Sequence, residues 1–408
     1  MGFATKNRLF IGGGGGSAKT GVRNEILLCK LDLATLETED IFETVLPSDE
    51  DAVMCLGVHP KEKLIVAGIN KSEVKIKERQ NNSLRLFKVV GNDKVEPLQE
   101  HEAMAQDSAV DPSQAPYLRI TEWSPDGVYL LTAGTNGELR IFRYPTFNVV
   151  ARFVILAEGT KKVEEIYDAH FSPDGRQIIA VTPNHAVVYQ AQARSAPGND
   201  KDGEDLEWKE LRRVNVETFN GRGGGKKYQL LLRQSRYNTD GKRPQIFFAF
   251  NSKSRDRSFV SRWDAHTWDV EKTAAVARKP IMNMAVSPNG KLLGLAMQDF
   301  SITLVTADNL QPYFTFPNAH SFAITCLTWT RDSNIIVSGS ADSTVRAIAV
   351  PPKPKVDMSA VYIFLLAALF LIVFIVLIFR LPLEYVPEQV VAPLEEIRNN
   401  IQNLRIEL

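Results

Sequence analysis

The residues best suited to chemistry stand near the start of the chain. Ile11 is followed by five consecutive glycines, Gly12 to Gly16, and then by Ser17-Ala18-Lys19-Thr20-Gly21-Val22-Arg23-Asn24. A glycine run ending in Lys-Thr invites a phosphate-binding reading, since GxxxxGK followed by Ser or Thr wraps nucleotide phosphates in backbone amides. Two details oppose it. Ala18 precedes Lys19 where that motif has glycine, and a phosphate loop must open a helix whose first amides face the anion. Here Gly21 interrupts, and Glu25-Ile26-Leu27-Leu28-Cys29-Lys30-Leu31 continues with strand character. Two readings stay open. Glycines let backbone pack on backbone and expose carbonyl oxygens that can converge on a hard cation, as oxygen-lined filters do for potassium. Asn24 would add a side-chain carbonyl at the loop's exit. The other reading is an idle hairpin turn, although five glycines make that costly in chain entropy.

Elsewhere the chemistry is sparse. The six histidines (His59, His101, His170, His185, His266 and His320) are dispersed without metal-ligand spacing. His320 reads as a structural residue opening a repeat, and His170 as part of a strand. GxSxG, HExxH and CxxC are all missing, so covalent catalysis is not expected. Cys29, Cys55 and Cys326 form an odd set in apolar runs, which fits reduced core thiols in a reducing compartment. Lys and Arg number 48 and so do Asp and Glu, and Lys226-Lys227 is only a pair. No basic block therefore points to nucleic acid. Asn70-Lys-Ser and Asn81-Asn-Ser match the glycosylation pattern, which a cytosolic domain would leave unused.

The elements that must hold the loop are strands. Five segments share a turn followed by an apolar run: His59-Pro60-Lys61-Glu62-Lys63, Ser124-Pro125-Asp126-Gly127, Ser172-Pro173-Asp174-Gly175, Ser287-Pro288-Asn289-Gly290 and Arg331-Asp332-Ser333. Proline presets φ at the first corner, and Asp or Asn followed by Gly accepts the tight or left-handed positions. A second turn and strand follow at Thr135-Asn136-Gly137, Gln298-Asp299-Phe300 and Ala341-Asp342-Ser343. The unit reads as a four-stranded antiparallel blade of the WD-repeat kind, with Phe87, Phe142 and Ala347 in the slot of the signature Trp. Seven blades are expected, at about 1–45, 46–110, 111–150, 151–195, 205–272, 273–315 and 316–350. The predicted fold is all-β, a seven-bladed β-propeller, with helical patterns almost absent before residue 358. Residues 91–116 and 191–227 read as long exposed loops.

Residues 360 to 379 (AVYIFLLAALFLIVFIVLIF) carry no charge. At about 1.5 Å per residue they span roughly 30 Å, the thickness of a bilayer's hydrocarbon core, and a helix is the structure a lone span can adopt there. Arg346, Lys353 and Lys355 precede the span, whereas Arg380 follows it with Glu384 and Glu388. Positive flanks stay cytosolic, so the large N-terminal part should face the cytosol. The start of the chain has no signal-peptide pattern. The expected organisation is a cytosolic propeller at 1–350, a linker at 351–358, a transmembrane helix at 359–379 and a short lumenal tail at 380–408, within which 394–408 is amphipathic.

Propeller, anchor and the loop GGGGGSAKTGVRN in the first blade together resemble the Sec-twelve family over essentially the whole chain. The resemblance implies a guanine-nucleotide exchange factor that loads a Sar-family small GTPase at the endoplasmic reticulum to start COPII vesicle formation. It implies a potassium ion held in the loop, with Gly14, Thr20 and Asn24 as candidate ligands. Ser17, Ala18, Lys19, Thr20, Gly21, Val22, Arg23 and Asn24 would contact the GTPase, with Lys19 to Val22 at the tip. Partners are then the GTPase and the endoplasmic reticulum membrane, with a monomeric propeller and no nucleic acid. Family members have a further strand before the glycine loop, whereas only Met1 to Phe10 precede it here. The rival reading is a membrane-anchored WD propeller that docks partners without exchange activity.

Overall fold

The computed structural model describes residues 1–18, 21–91, 94–106, 111–193, 206–216, 222–223, 226–238, 244–352 and 358–380. The chain divides into two units, Met1–Val350 and Pro351–Leu408.

In the first unit the repeated turn fixes each hairpin by the same bonds. Tyr129 N–H donates to Ser124 Oγ at 2.9 Å and Gly127 N–H to the Ser124 carbonyl at 2.8 Å. Gln177 and Gly175 repeat the pattern on Ser172, and Leu292 and Gly290 repeat it on Ser287. In the second blade an imidazole replaces the hydroxyl, as His59 Nδ1 accepts from Glu62 N–H at 2.8 Å. A polar side chain thus closes each turn locally and sets the register of the strands behind it.

Seven sheets of three or four strands result, at residues 2–45, 55–101, 118–154, 168–215, 230–277, 281–316 and 324–349, and they are called blades 1 to 7 below; a further two-stranded ribbon pairs Arg222–Gly223 with Lys226–Lys227. The first six have four strands in sequence order, and the seventh has three among the described residues. The first strands of successive blades contact one another and form the inner ring. Connections between blades, and the turns between second and third strands, therefore share one face of the propeller, called the loop face. The first-to-second turns fill the opposite face. Apolar side chains pack between blades: Phe10 and Leu28 with Ile65 and Phe87 join blades 1 and 2, and an aromatic cluster at Phe248, Phe250 and Trp263 joins blades 4 and 5. Leu9 and Leu31 meet Ile335 and Val337, so blade 7 closes on blade 1 by packing. The first strand of blade 1 is Gly2–Phe3, with Gly2 opposite Phe10 and Phe3 opposite Leu9. The inner strand of blade 1 thus has two residues.

Several expectations need correction. Residues 191–227 are not one loop: Leu206–Asn215 is the fourth strand of blade 4, pairing along His185–Ala193. Blade 4 therefore ends at 215 rather than 195, and blade 5 begins at 230 rather than 205. Residues 91–116 contain Lys94–His101, the outer strand of blade 2. Blade 3 runs on to Val154. A short helix, α1 (Glu73–Lys77), interrupts blade 2. Both glycosylation patterns fall on buried asparagines, with Asn81 Nδ2 donating to Asn70 Oδ1 at 3.0 Å, so neither side chain is presented for modification.

In the second unit, α2 (Met358–Arg380) is a helix of 23 residues. Side chains in it are described from Ile363 to Phe374, a length of about 18 Å. Among the described residues, no helix is long and apolar enough to cross a membrane. The tail, with its amphipathic stretch at 394–408, and the linker residues 353–357 lie outside the described residues.

Candidate functional site

The glycine loop springs from a strand rather than from a helix end. Arg8–Gly13 is the second strand of blade 1, and Gly12 and Gly13 still pair with Ile26 and Glu25 of the third. The loop at 14–24 lies on the loop face, and its described residues include a 3-10 turn at Gly16–Ala18. The phosphate-loop reading fails here, because a strand, Glu25–Leu31, follows.

Asn24 organises the loop from beneath. It is 2% exposed. Its Oδ1 accepts from Gly16 N–H at 2.8 Å, while its Nδ2 donates to the carbonyls of Glu50 at 2.9 Å and Pro47 at 3.3 Å. Its own carbonyl accepts from Leu46 N–H at 2.7 Å. Two glycines are needed for this approach. At Gly14 (φ +149°) a Cβ would lie 2.2 Å from Asn24 Oδ1, and at Gly12 it would lie 2.5 Å from a Val53 methyl carbon. Bulk at either position would break the seat of the loop.

The floor below is charged and paired. Glu50, whose carbonyl holds Asn24, presents its carboxylate to Arg85 Nη1 at 2.6 Å and Lys71 Nζ at 3.6 Å, and Lys71 also meets Glu100 at 2.6 Å. Next along the chain, Asp51 N–H donates to the Asn70 carbonyl at 3.1 Å. Burial pushes the Asp51 carboxyl above the usual carboxylate range. Asn81 Oδ1 in turn accepts from Lys71 N–H at 2.9 Å, so the Asn70–Asn81 pair ties together the two ends of the segment carrying α1. The loop of blade 1 and the helix of blade 2 are thus set by one continuous hydrogen-bonded strip.

Between them lies an open groove of about 630 Å³, lined on one side by Ser17, Val22 and Arg23 and on the other by Ser72, Glu73 and Val74. Val22, Val45 and Val74 are exposed along it, Val22 by 48%. Apolar side chains between charged rims are what a protein partner would cover. The larger cavity, of about 1000 Å³, includes Glu158, Glu164, His185 and Lys253 in its lining and holds none of the loop residues.

Of the residues expected to meet a partner, Ser17, Gly21, Val22 and Arg23 are exposed. Asn24 faces inward. Ala18 closes the 3-10 turn, and Lys19 and Thr20 lie outside the described residues. Of the expected ion ligands, Gly14 and Asn24 lie against each other, whereas Thr20 is again outside the described residues. The donors present are neutral oxygens, which suit a hard monovalent cation in kind. Among the described residues no group of three or more His, Cys, Asp or Glu could hold a metal. His320 is structural as expected: its Nε2 bonds Ser338 Oγ at 2.8 Å and its Nδ1 faces Asp342 and Thr344. Burial pushes the Cys29 thiol up to about 12 and Cys55 to about 11, so both stay protonated and unreactive near neutrality. Helix α1, the far wall of the groove, was not expected from the sequence. The one available hint was Ser72 followed by Glu73, a capping order.

The fold is a seven-bladed β-propeller of the WD40 kind with a pinned glycine loop on its first blade. The WD domain, G-beta repeat family matches residues 310–347. The chain is 23% identical to the guanine nucleotide-exchange factor SEC12 of Candida glabrata, over 86% of this chain and 69% of that protein. It is 22% identical to the SEC12-like protein 2 of Arabidopsis thaliana, over 82% and 74% of the two chains. To the mouse SEC12 exchange factor it is 23% identical, over 79% and 78%. The resemblance to the Sec-twelve family thus extends over most of the chain. Among solved structures, the C-terminal WD40 domain of Sif2 aligns with TM-score 0.55 at 13% identity, over 86% and 94% of the chains. A chain of the COPII outer coat vertex on membranes aligns with TM-score 0.62 at 14% identity, over 86% and 84%. At these identities the structures speak to the fold alone.

Proposed function

We propose that this chain is a guanine-nucleotide exchange factor for a Sar-type small GTPase, held on the endoplasmic reticulum membrane through residues 360–379 with its propeller in the cytosol. The observation that carries the reading is the loop of 14–24, fixed at its base by Asn24 and open along a groove shared with α1. The exchange-factor names of its relatives support it. Exchange needs no acid, base or nucleophile. A surface that binds the nucleotide-free GTPase more tightly than the loaded form must, by linkage, weaken nucleotide binding by the same factor. A loop set before the partner arrives loses little entropy on docking, so more of its contact energy goes into displacing a switch segment.

Potassium enters this reading as a loop-stiffening ion. When bound, it would supply a positive centre that gathers neutral oxygens. Asn24, through Oδ1, and the Gly14 backbone would contribute, with Thr20 as the third candidate. What the chain itself does is hold Gly16 and Asn24 together and keep the space beside Gly14 free of a Cβ. Membrane anchoring adds an effect of concentration: factor and GTPase confined to one surface meet more often without any new contact.

The test is release of labelled GDP from a Sar-type GTPase by the full chain in nanodiscs. Acceleration is expected, and slower release is expected when sodium replaces potassium or in Asn24→Ala. A folded chain that leaves the rate unchanged defeats the exchange reading and leaves a docking scaffold.

A further inference from the structure

The central channel opens on the same face as the glycine loop, and its mouth carries charge that the groove does not use. Arg119 lies on the inner strand Leu118–Trp123 of blade 3, at the end where Leu118 pairs with Gly134 beside the turn at 135–137. Arg233 lies on the inner strand Leu230–Tyr237 of blade 5, near the end where Leu230 pairs with Ser252. Both ends point to the loop face. Each arginine occupies a break in strand register, since pairing passes from Leu118 to Ile120 in blade 3 and from Leu232 to Gln234 in blade 5. Bulges of this kind re-aim a side chain out of the regular ladder.

The two guanidinium groups meet over one ring. Arg119 lies 5.2 Å and Arg233 5.3 Å from the centroid of Tyr167, which stands just before the inner strand of blade 4. Their partners differ. Arg119 is paired with Glu165, and Arg236, deeper on the same strand as Arg233, is paired with Asp168. Arg233 donates from Nε to the Met282 carbonyl at 3.0 Å, and among the described residues no carboxylate lies within ion-pair distance of it. Its head is therefore fixed by one hydrogen bond and one aromatic face, with the Nη1 and Nη2 edge left for a ligand. That edge matches a carboxylate in bidentate fashion. A phosphate dianion fits less well, because the carboxylates of Glu165 and Asp168 stand nearby. The burial of Arg233 and the charge of Arg119 push its pKa below the ordinary guanidinium range, a cost that an arriving anion would relieve.

We propose that Arg233, with Tyr167 as its backing, forms a docking point at the channel mouth for a carboxylate side chain of the GTPase bound on the loop face. This rests on the exchange reading for the identity of the partner, but the site itself has its own readout. The first arm measures binding of labelled hexaglutamate to the full chain in nanodiscs, with hexaglutamine as the uncharged control. Loss of a charged bidentate contact lowers affinity roughly tenfold or more. Arg233→Ala should show that loss and Arg233→Lys a smaller one, while inorganic phosphate at matched concentration should compete weakly. The second arm measures GDP release, where Arg233→Ala should raise KM for the GTPase about tenfold with kcat retained. Unchanged peptide affinity in Arg233→Ala overturns the site, and so does phosphate that displaces the peptide as well as free glutamate does. Weakened peptide binding with an unchanged KM overturns the assignment to the GTPase. If the unaltered chain accelerates no GDP release, the exchange reading falls, and the peptide arm still decides the role of Arg233.

Discussion

Two seams of the propeller are built very differently. Between blades 4 and 5, sixteen buried residues form one cluster, with Tyr237, Phe248, Phe250, Phe259, Trp263 and Trp268 among them. Between blades 7 and 1 the buried cluster has four, Leu9, Leu31, Ile335 and Val337, with smaller or half-buried neighbours such as Ala347 and Val345 around them. Apolar burial stabilises by about 25 cal/mol per Å², so the aromatic seam contributes far more than the aliphatic one. The glycine loop leaves the very strand that carries Leu9. Its blade is thus gripped loosely by blade 7 and more firmly by blade 2, through the buried cluster of Phe10, Ile26 and Leu28 with Ile65, Ile69 and Phe87. Segments that open or bind are drawn from the less stable parts of a protein. The molecule places its glycine loop at the thin seam and gives it a separate floor.

Four measurements can break or sharpen this contrast. Phe250→Ala, at a fully buried position in the thick seam, should cost about 3–5 kcal/mol in denaturant unfolding. Leu9→Ala should fall nearer 2 kcal/mol, the low end for buried leucines, because fewer side chains surround it. Equal costs at the two sites would erase the distinction. Asn24→Ala strands the Gly16 amide and the Glu50 carbonyl, a loss of about 1–3 kcal/mol. In hydrogen exchange, its added opening should stay within 12–24 and 46–52. Exchange that quickens equally across blades 4 and 5 would contradict a separately floored loop.

The smallest effect concerns pH. Burial pushes the carboxyl of Glu122, on the inner strand of blade 3, up to about 7. A folded pKa raised above its unfolded value favours the protonated native state, so this group's contribution is full at low pH. It is lost as pH rises from the ordinary glutamate range through 7. Glu122→Gln should therefore gain Tm relative to the unaltered chain between pH 5 and pH 7.5. His170, pushed down to about 4 by burial, has the opposite slope but is common to both proteins. A gap that does not widen with pH would show Glu122 to be solvated.

The propeller was legible because its signal is local. Ser-Pro-Asp-Gly at 124–127 and 172–175 writes a turn whose bonds close within five residues, so neither hairpin depends on distant context. The strand Leu206–Asn215 was missed because residues 194–205 separate it from its partner, and its LEWKELRRVN carries too many charges for a buried run. Outer strands have one edge and one face in water, so their residues need not alternate cleanly. Helix α1 has only five residues, fewer than a periodicity window requires. Asn24 could be singled out from sequence, but only as an oxygen at the loop's exit. That it works inward, on Gly16 and Glu50, depends on residues 46–52 passing beneath it. Arg119, Tyr167 and Arg233 come from three blades, and only closure of the ring brings them together.

The thin seam also says when the protein becomes whole. Leu9 and Val337 are among the most distant partners in the chain, so their meeting carries a large loop-closure entropy and depends on the blades between them. A ribosome must deliver nearly all of the propeller before that contact can form, and it does so just ahead of the apolar residues 360–379. The joint with the smallest buried cluster can therefore form only after the other blades have been made, and the strand that carries the glycine loop is one half of it.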